Sequence, residues 1–510
     1  MAVGEEGVVG ENADAVVTPP DTALLAKQTL AYGLSGLIVP IVGLITLPIF
    51  ARVFTKSEYG VLELGTTLLA VALAVTDAGL TAAALRSFYD YGSEAEPERR
   101  SVMLSGFVAT SAISLAVALV LIAFREDLSR WVFGRPGEGR LMIVIAASIP
   151  AANTLRYVSE VMRVRLQAFA YLATTLVAAV ITTTLGIVGV LALDWRVVGV
   201  FFAGLLGNLV AAIYGVRLVR HGLTGHFSWR KLSPMLRYGL PLVPAAFAAW
   251  ALSLADRIIL SRLGSLGQVG QYAIANRLAS LLLLGLTAFL FALTPFLLSI
   301  YSENPAQEKA ARARALTYLT FILTLTGLVL TLFARELIDV LAPRFDEAYK
   351  AVGPLMLGMV GYGIVSLLTT GFSIARRTGR LALLTVVAAG INIGLNFALI
   401  PPWGIVGAAL ATGVAYGLLA VGYYFAAQRV YHTPYELEKV VTMVVLGSVL
   451  GVLGVVPLGT EALAVIVKLL AIAAFLAGLW LTHTIRGPEL TELRRFVLGM
   501  VPLQLRRARS

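Results

Sequence analysis

Residues 391–416 read INIGLNFALIPPWGIVGAALATGVAY. The stretch holds no Asp, Glu, Lys or Arg, and Pro401, Pro402 and Gly404 interrupt it. Pro removes a helix donor, and Gly adopts backbone conformations that other residues avoid. The reading is the end of one apolar stretch, 381–401, then a turn, then the start of a second, 404–427. A helix crossing a bilayer needs about 20 apolar residues, and both stretches are long enough.

The same pattern fills the chain on either side. Further apolar stretches lie near 24–51, 59–88, 101–124, 140–160, 168–193, 197–219, 235–263, 267–300, 314–334, 348–374, 438–458 and 461–484, which makes fourteen candidate spans. A segment in lipid must satisfy its own backbone hydrogen bonds, so each is read as a helix. The period-two alternation of a membrane barrel is missing. The expected fold class is an all-α integral membrane protein with 14 transmembrane helices. Composition agrees: 58% of residues are hydrophobic and 14% charged, against about 25% charged in a soluble domain. Mean hydropathy is +0.85. These values exclude a disordered chain and argue against a soluble enzyme.

Cys is absent, which excludes disulfides, thiolate metal sites and Cys nucleophiles. The four His, at 221, 226, 432 and 483, are too scattered for a His-based site. The chain has no G-x-x-x-x-G-K-[ST], no H-E-x-x-H and no G-x-S-x-G. Its loops are too short for a soluble catalytic domain. The expectation is a non-enzyme without a bound cofactor or metal. Any driving force then comes from an H+ or Na+ gradient, the membrane potential or the substrate itself.

Residues 1–22 are small and acidic and end in Pro, which reads as a disordered tail and not a signal peptide. Most of the 40 Lys and Arg residues fall on the side that holds both termini, so both termini are expected in the cytoplasm of a multi-pass inner-membrane protein. The loop at 217–237 shows this best, with Arg217, Arg220, Arg230, Lys231 and Arg237 and no acid. The formal charge of +11 follows from this topology and from attraction to anionic lipid. The basic residues form no continuous patch, so nucleic acid is not an expected partner. Residues 485–510, with Arg494, Arg495, Arg506, Arg507 and Arg509, read as a basic amphipathic cytoplasmic tail.

The chain repeats itself at an offset of roughly 206–210 residues. Tyr32-Gly33-Leu34 opens the first stretch and Tyr238-Gly239-Leu240 the seventh. Arg52 closes the first and Arg262 the seventh, followed by Gly60 and Gly270 respectively. WRVVGVFFAGLLGN from Trp195 mirrors WGIVGAALATGVAY from Trp403. Each copy holds six helices, an even number, so the copies share one orientation about an axis along the membrane normal. The expected organisation is an N-lobe at 23–220, a cytoplasmic linker at 221–234, a C-lobe at 235–430 and two extra helices within 431–484. Two such bundles around a central cavity make a transporter architecture.

Charges inside apolar stretches are costly and usually face a cavity or a partner. Asp77 and Arg86 share the second stretch, about two and a half turns apart, and point to opposite sides unless the helix bends. Asp256, Arg257 and Arg262 lie in the seventh, Asn276 and Arg277 in the eighth, and Arg52 ends the first. Each has a structural alternative. Arg52, Arg86 and Arg262 can snorkel to headgroups, Asp256 can pair with Arg277, and Asp77 can be a neutral hydrogen-bonded acid. Arg163, Arg165, Arg376, Arg377 and Arg380 suit the positive-inside pattern. The excess of Arg favours an anionic, phosphate-bearing substrate, which the planar fork binds bidentately. Pro40, Pro48, Pro241, Pro244 and Pro295 are candidate bends.

The 391–416 stretch resembles the N-x-x-x-N-x-x-L-I-P-x-x-G-x-x-G-A-A-x-A-T signature of polysaccharide flippases in the multidrug/oligosaccharidyl-lipid/polysaccharide exporter superfamily. Asn392, Asn396, Pro401, Gly404, Gly407 and Thr412 match it. The helix pairs that open each half, including the A-R-V-F-T-K-S-E-Y-G turn after Arg52, are similar to the family's as well. The resemblance covers about residues 24–484. It implies a Wzx-type flippase that moves an undecaprenyl-pyrophosphate-linked oligosaccharide from the cytoplasmic to the outer leaflet. The product serves surface polysaccharide synthesis, such as the O-antigen of lipopolysaccharide, alongside a polymerase and glycosyltransferases. By position in that fold, Arg52 and Arg86 face the cavity from the N-lobe, and Arg257, Arg262, Arg277 and Asn276 from the C-lobe. Asp77 and Asp256 are the candidates for ion coupling. The first stretch holds no acid between residues 24 and 51, unlike drug exporters that place a proton-linked Asp there. A drug or metabolite exporter and a lipid II flippase remain alternatives within the superfamily. A membrane glycosyl polymerase or ligase, the alternative from another class, would need a long extracytoplasmic loop.

Overall fold

The computed structural model describes residues 22–482 and 484, apart from 93, 135–136, 376–378 and 458. The tails expected at 1–22 and 485–510 lie outside the described residues except for Thr22, which opens the first helix, and Arg376 and Arg377 lie outside them too. Among the described residues every regular element is helical.

The first half runs through α1 (Thr22–Val53), α2 (Lys56–Asp77), α3 (Leu80–Tyr89), α4 (Glu96–Ala123), α5 (Arg125–Phe133), α6 (Gly139–Val164), α7 (Ala168–Leu191) and α8 (Arg196–Val219). After α9 (Trp229–Gly239), the second half runs through α10 (Val243–Leu263), α11 (Leu266–Ala279), α12 (Leu281–Glu303), α13 (Pro305–Leu332), α14 (Ala334–Leu341), α15 (Tyr349–Ala375) and α16 (Gly379–Val430). α17 (Leu437–Gly451) and α18 (Glu461–Leu481) complete the chain. The element order of the first half returns in the second, down to the short helices α5 and α14.

Among the described residues thirteen helical segments are long and apolar enough to cross a membrane. One of them, Leu381–Val430, has 50 residues and contains both stretches that the sequence separates at 401–404. A straight helix of that length would reach about 75 Å, against a hydrocarbon core of about 30 Å. Gly404 resolves the excess: at φ 51° and ψ −125° it leaves the helical region. A Cβ on Gly407 would come within 2.0 Å of the Leu399 carbonyl oxygen, so the chain folds back on itself there. The Pro-Pro-x-Gly sequence is thus a hairpin between two helical arms.

Two elements depart from the sequence reading. The stretch at 59–88 is not one helix, because Ala78 and Gly79 take φ 45° and 69° and divide α2 from α3. The turn count between Asp77 and Arg86 therefore does not apply. The linker at 221–234 is partly helical. α9 begins inside it and buries Leu232 and Met235 among Leu80, Phe88, Met103, Tyr157 and Met162 of the first half. α1 continues as helix through Pro40 and Pro48, so those prolines do not interrupt it.

Within the first half α7 packs on α1 and α8, and α6 on α2, α4 and α8; within the second, α16 packs on α10 and α15, and α13 on α12 and α15. The halves meet chiefly where α2 packs on α10 and α11, and where α1 packs on α12. One apolar core runs through both, from Leu47 and Phe50 to Tyr272, Leu355 and Tyr416. α17 and α18 pack outside it on α13, around Leu328, Met443 and Phe475. Many apolar side chains on these helices point outward, among them Val441, Leu469, Leu470 and Trp480. That is expected where lipid is the solvent.

Candidate functional site

The end of the molecule carrying the α1–α2 turn, α5 and α14 is called the rim here, and the opposite end, with α9, the linker end. At the rim α2 and α11 start in the same way. Thr55 caps α2 in a capping box with Glu58, and the Ser265 hydroxyl caps α11 by accepting from Gln268 N. The two helices then cross at bare backbone. A Cβ on Gly60 would lie 2.0 Å from the Leu266 carbonyl oxygen, and one on Gly270 would lie 2.1 Å from that of Lys56. Only Gly permits such an approach at either position. The two contacts exchange under the sequence repeat, as in an isologous two-fold interface.

Around this crossing each half reaches for the other. The Arg52 guanidinium donates to the Val340 carbonyl on α14 at 3.1 Å. Its repeat partner Arg262 sits over the Trp131 ring on α5, 5.4 Å from the centroid. Lys56 pairs with Asp346 at 2.5 Å, Arg344 donates to the Val53 carbonyl at 3.1 Å, and the Tyr59 and Phe345 rings meet edge to face at 5.2 Å. Asp346 lies in the loop after α14, where the Lys56 ammonium lowers its carboxyl below the usual value. Arg52 and Arg262 are therefore interlobe contacts at the rim. The structure does not bring them to the other charges.

One helical turn inside Gly60 lies Glu63, which the sequence reading passed over. Its Oε1 accepts from Arg257 Nε of α10 at 2.6 Å. Arg257 Nη1 also donates to Asp256 Oδ1 at 2.9 Å and to the Ser253 carbonyl at 2.8 Å. The second Asp256 oxygen accepts from the Tyr272 hydroxyl, and from Thr412 at 3.4 Å. Asp256 is 2% exposed, Arg257 3% and Glu63 8%. Charges so far from water persist only when paired and hydrogen-bonded, and here two of the three acceptors on Arg257 are carboxylates. Asp256 thus pairs with its neighbour Arg257 and not with Arg277. The signal for Glu63 was available, because an acid among the leucines of GVLELGTTLL obeys the same intramembrane-charge rule that singled out Asp77.

Arg277 lies about three turns in from the rim along α11. It is half-buried, its Nε is buried without a partner, and its guanidinium stands 5.8 Å from the Tyr59 ring centroid. Its preceding neighbour Asn276 is half-buried. Arg277 forms no ion pair among the described residues. Nor does Arg86, which stands on the exposed face of α3, 4.6 Å from the Tyr238 ring centroid. Asp77, on the other side of the α2–α3 break, accepts from Thr81 and faces Arg156 at 3.6 Å. Further towards the linker end, Arg163 pairs with Glu160 and covers the Tyr171 ring.

The signature residues are placed as well. Asn392 and Asn396 are fully buried, and Asn396 Nδ2 donates to the Asn392 carbonyl at 2.9 Å and to its Oδ1 at 3.1 Å. Gly404 and Gly407 make the α16 hairpin, and Thr412 reaches Asp256. Most of the motif shapes the C-lobe, and one residue of it touches the charge cluster. No group of three or more His, Cys, Asp or Glu is gathered as for a metal among the described residues.

The profile of the family described as polysaccharide biosynthesis protein matches residues 25–301. The succinoglycan biosynthesis transport protein ExoT of Rhizobium meliloti (strain 1021) is 26% identical over 241 residues, which is 46% of this chain and 46% of that protein. The alignment thus spans about half the length of this curated relative. Among solved structures, the lipid II flippase MurJ in an inward closed conformation superposes with a TM-score of 0.72 at 15% identity, over 90% of this chain and 100% of that one. An inward-facing multidrug resistance MATE transporter of the MOP superfamily gives 0.66 at 15% identity, over 79% of this chain and 98% of the other. The fold is shared with these transporters, and because the family profile spans more than half of the sequence, the chain belongs to the polysaccharide biosynthesis protein family.

Proposed function

We propose that the protein flips a lipid-linked oligosaccharide, carried on an undecaprenyl-type diphosphate, from the cytoplasmic to the outer leaflet by alternating access between its two lobes. The product would feed a surface polysaccharide such as an O-antigen. In this reading the linker end faces the cytoplasm, where the loop basic residues concentrate, and the rim is extracytoplasmic. The observation that carries the proposal is a pair of cations that no carboxylate contacts directly among the described residues, Arg86 in the N-lobe and Arg277 in the C-lobe. A diphosphate entering a low-dielectric interior loses hydration, and a guanidinium fork replaces it with directed hydrogen bonds. One free cation on each lobe lets closure of either end depend on the headgroup. Family membership and the succinoglycan transport relative support a glycan cargo.

Arg257 has a different part in this scheme, since two carboxylates already neutralise it. Arg52 and Arg262 belong to the rim. Asp256, whose oxygens are all engaged, and Asp77, held by Thr81 and Arg156, are the acids through which an H+ or Na+ gradient would act. The test is outer-leaflet appearance of lipid-linked glycan in cells lacking their own flippase. Arg86→Ala and Arg277→Ala should each reduce it more than about tenfold at unchanged membrane levels, and Lys at either position should restore part, since charge remains but the fork is lost. Arg230→Ala, on α9, serves as the control. Transport at the parent rate in both Ala variants would refute the site.

A further inference from the structure

We infer that Glu63 and Arg257 form an interlobe charge lock, which holds the rim closed from beneath the glycine crossing. The inference rests on the alternating-access reading but not on the nature of the cargo.

The two residues belong to different lobes, Glu63 to α2 and Arg257 to α10, so any separation of the lobes at the rim breaks their 2.6 Å contact. They lie in the same layer as the crossing, with Glu63 one turn inside Gly60. Two backbones touching at Gly60 and Gly270 attract each other only by short-range packing, which vanishes as soon as the helices part. A buried ion pair acts over a longer distance and is costly to break in a dry interior.

The pair is also unequal. When the lobes part, Arg257 keeps Asp256 and the Ser253 carbonyl within its own helix. Glu63 keeps nothing, because Arg257, its salt-bridge partner, and Arg277, the other cation that acts on it, both belong to the opposite lobe. The open rim therefore demands water at Glu63, which opening itself admits. The closed rim demands Arg257, without which two carboxylates, Glu63 and Asp256, would share one dry pocket. On this account Glu63 sets how firmly the rim closes and Arg257 makes closure feasible. The sequence repeat has no such pair, for Leu47 and Ala273 stand at the corresponding positions.

The chain's lack of Cys makes the test direct. Lys56 Cβ lies 3.6 Å from where a Cβ on Gly267 would be, within the range a disulfide spans. In a Lys56→Cys/Gly267→Cys background, in vesicles without substrate, the rate of oxidative cross-linking reads rim closure. We expect Glu63→Ala to slow cross-linking at least tenfold, Glu63→Gln to slow it less because its amide oxygen still accepts from Arg257, and Glu63→Asp to lie nearest the parent. Thr66→Ala, on the same helix, should cross-link at the parent rate. Labelling at Tyr59→Cys, buried when the rim is closed, should rise in Glu63→Ala with an impermeant maleimide added from the rim side only. Labelling from both sides equally would mean loss of fold, and the graded Gln and Asp variants then decide. Cross-linking at the parent rate in Glu63→Ala and Glu63→Gln overturns the lock. If the lock holds but the oxidised background still exports glycan, the transport reading fails and the lock stands.

Discussion

At the rim the two lobes meet as near copies. Gly60 lies on the Leu266 carbonyl as Gly270 lies on that of Lys56, and Thr55 and Ser265 cap their helices alike. In the charged interior the lobes differ. Thr46 and Leu47 stand where the second half has Asp256 and Arg257, Thr67 where it has Arg277, and Phe296 stands where the first half has Arg86. The C-lobe carries Asp256 and Arg257 in the rim half of α10 and Arg277 near the inner end of α11, and the N-lobe carries Arg86 past the α2–α3 break, towards the linker end. A symmetric crossing supplies a surface on which two rigid bundles can close and part. Unequal charges make the two ends of the path chemically different, which a carrier moving cargo in one direction needs.

The strongest way to break this comparison is to fix the rim. Oxidised Lys56→Cys/Gly267→Cys should stop outer-leaflet appearance of lipid-linked glycan entirely, and a reductant should restore it. Continued export with the disulfide intact would show that the rim does not move during transport.

The symmetry itself is tested by Gly60→Ala and Gly270→Ala. Each places a methyl against a backbone carbonyl, and overpacking of this kind costs about 1–3 kcal/mol. We expect similar losses for both, about tenfold in cross-linking between positions 56 and 267. Gly36→Ala, where a Cβ meets nothing within 4 Å, should be neutral. A large effect at only one of the two rim glycines would mean that the crossing is symmetric in shape but not in use.

The asymmetric interior is sharpened by Tyr272→Phe. It removes one of the two hydroxyl donors on the second Asp256 oxygen, and an unsatisfied buried group costs about 1–3 kcal/mol. Thermal unfolding in detergent should shift down by a few degrees. Thr412→Val, which removes the longer 3.4 Å bond, should shift it less.

The smallest effect is expected at the rim's exposed pair. Lys56 lowers the Asp346 carboxyl only while the rim is closed, because the two residues belong to different lobes. A depressed acid stabilises the closed form above its ordinary value, near 4, and that contribution disappears as the pH falls through the depressed value. The side chains are 39% and 67% exposed, and exposed pairs contribute about 0–1 kcal/mol. Acidification should weaken closure about twofold, measured as labelling of Tyr59→Cys relative to that of an exposed Cys at the same pH, which cancels the thiol's own ionisation, and Asp346→Asn should remove that pH dependence. An effect much larger than this would assign the titration to a group other than Asp346.

The reading from residues succeeded where the signal was local. Apolar length marked the helices, Pro401, Pro402 and Gly404 marked the hairpin, and the spacing of Arg52, Gly60, Arg262 and Gly270 marked the repeat. It failed where roles depend on neighbours distant in the chain. Arg52, Arg257 and Arg262 looked alike as Arg residues within or closing apolar stretches, yet one donates to a carbonyl, one is locked between two acids and one covers a Trp ring. Asp77 and Arg86 lie on separate helices because Ala78 and Gly79 adopt left-handed backbone, and the Gly in that pair was the only local hint.

Membrane class, the apolar stretches and the doubled plan follow from the chain alone, because hydropathy, helix length and repetition are properties of consecutive residues. Which arginines are neutralised and which remain free follows only from packing. A guanidinium's partners are set by the few side chains within about 3 Å of it. For Arg257 one of them, Glu63, lies 194 residues away in sequence, where no local pattern records the pairing.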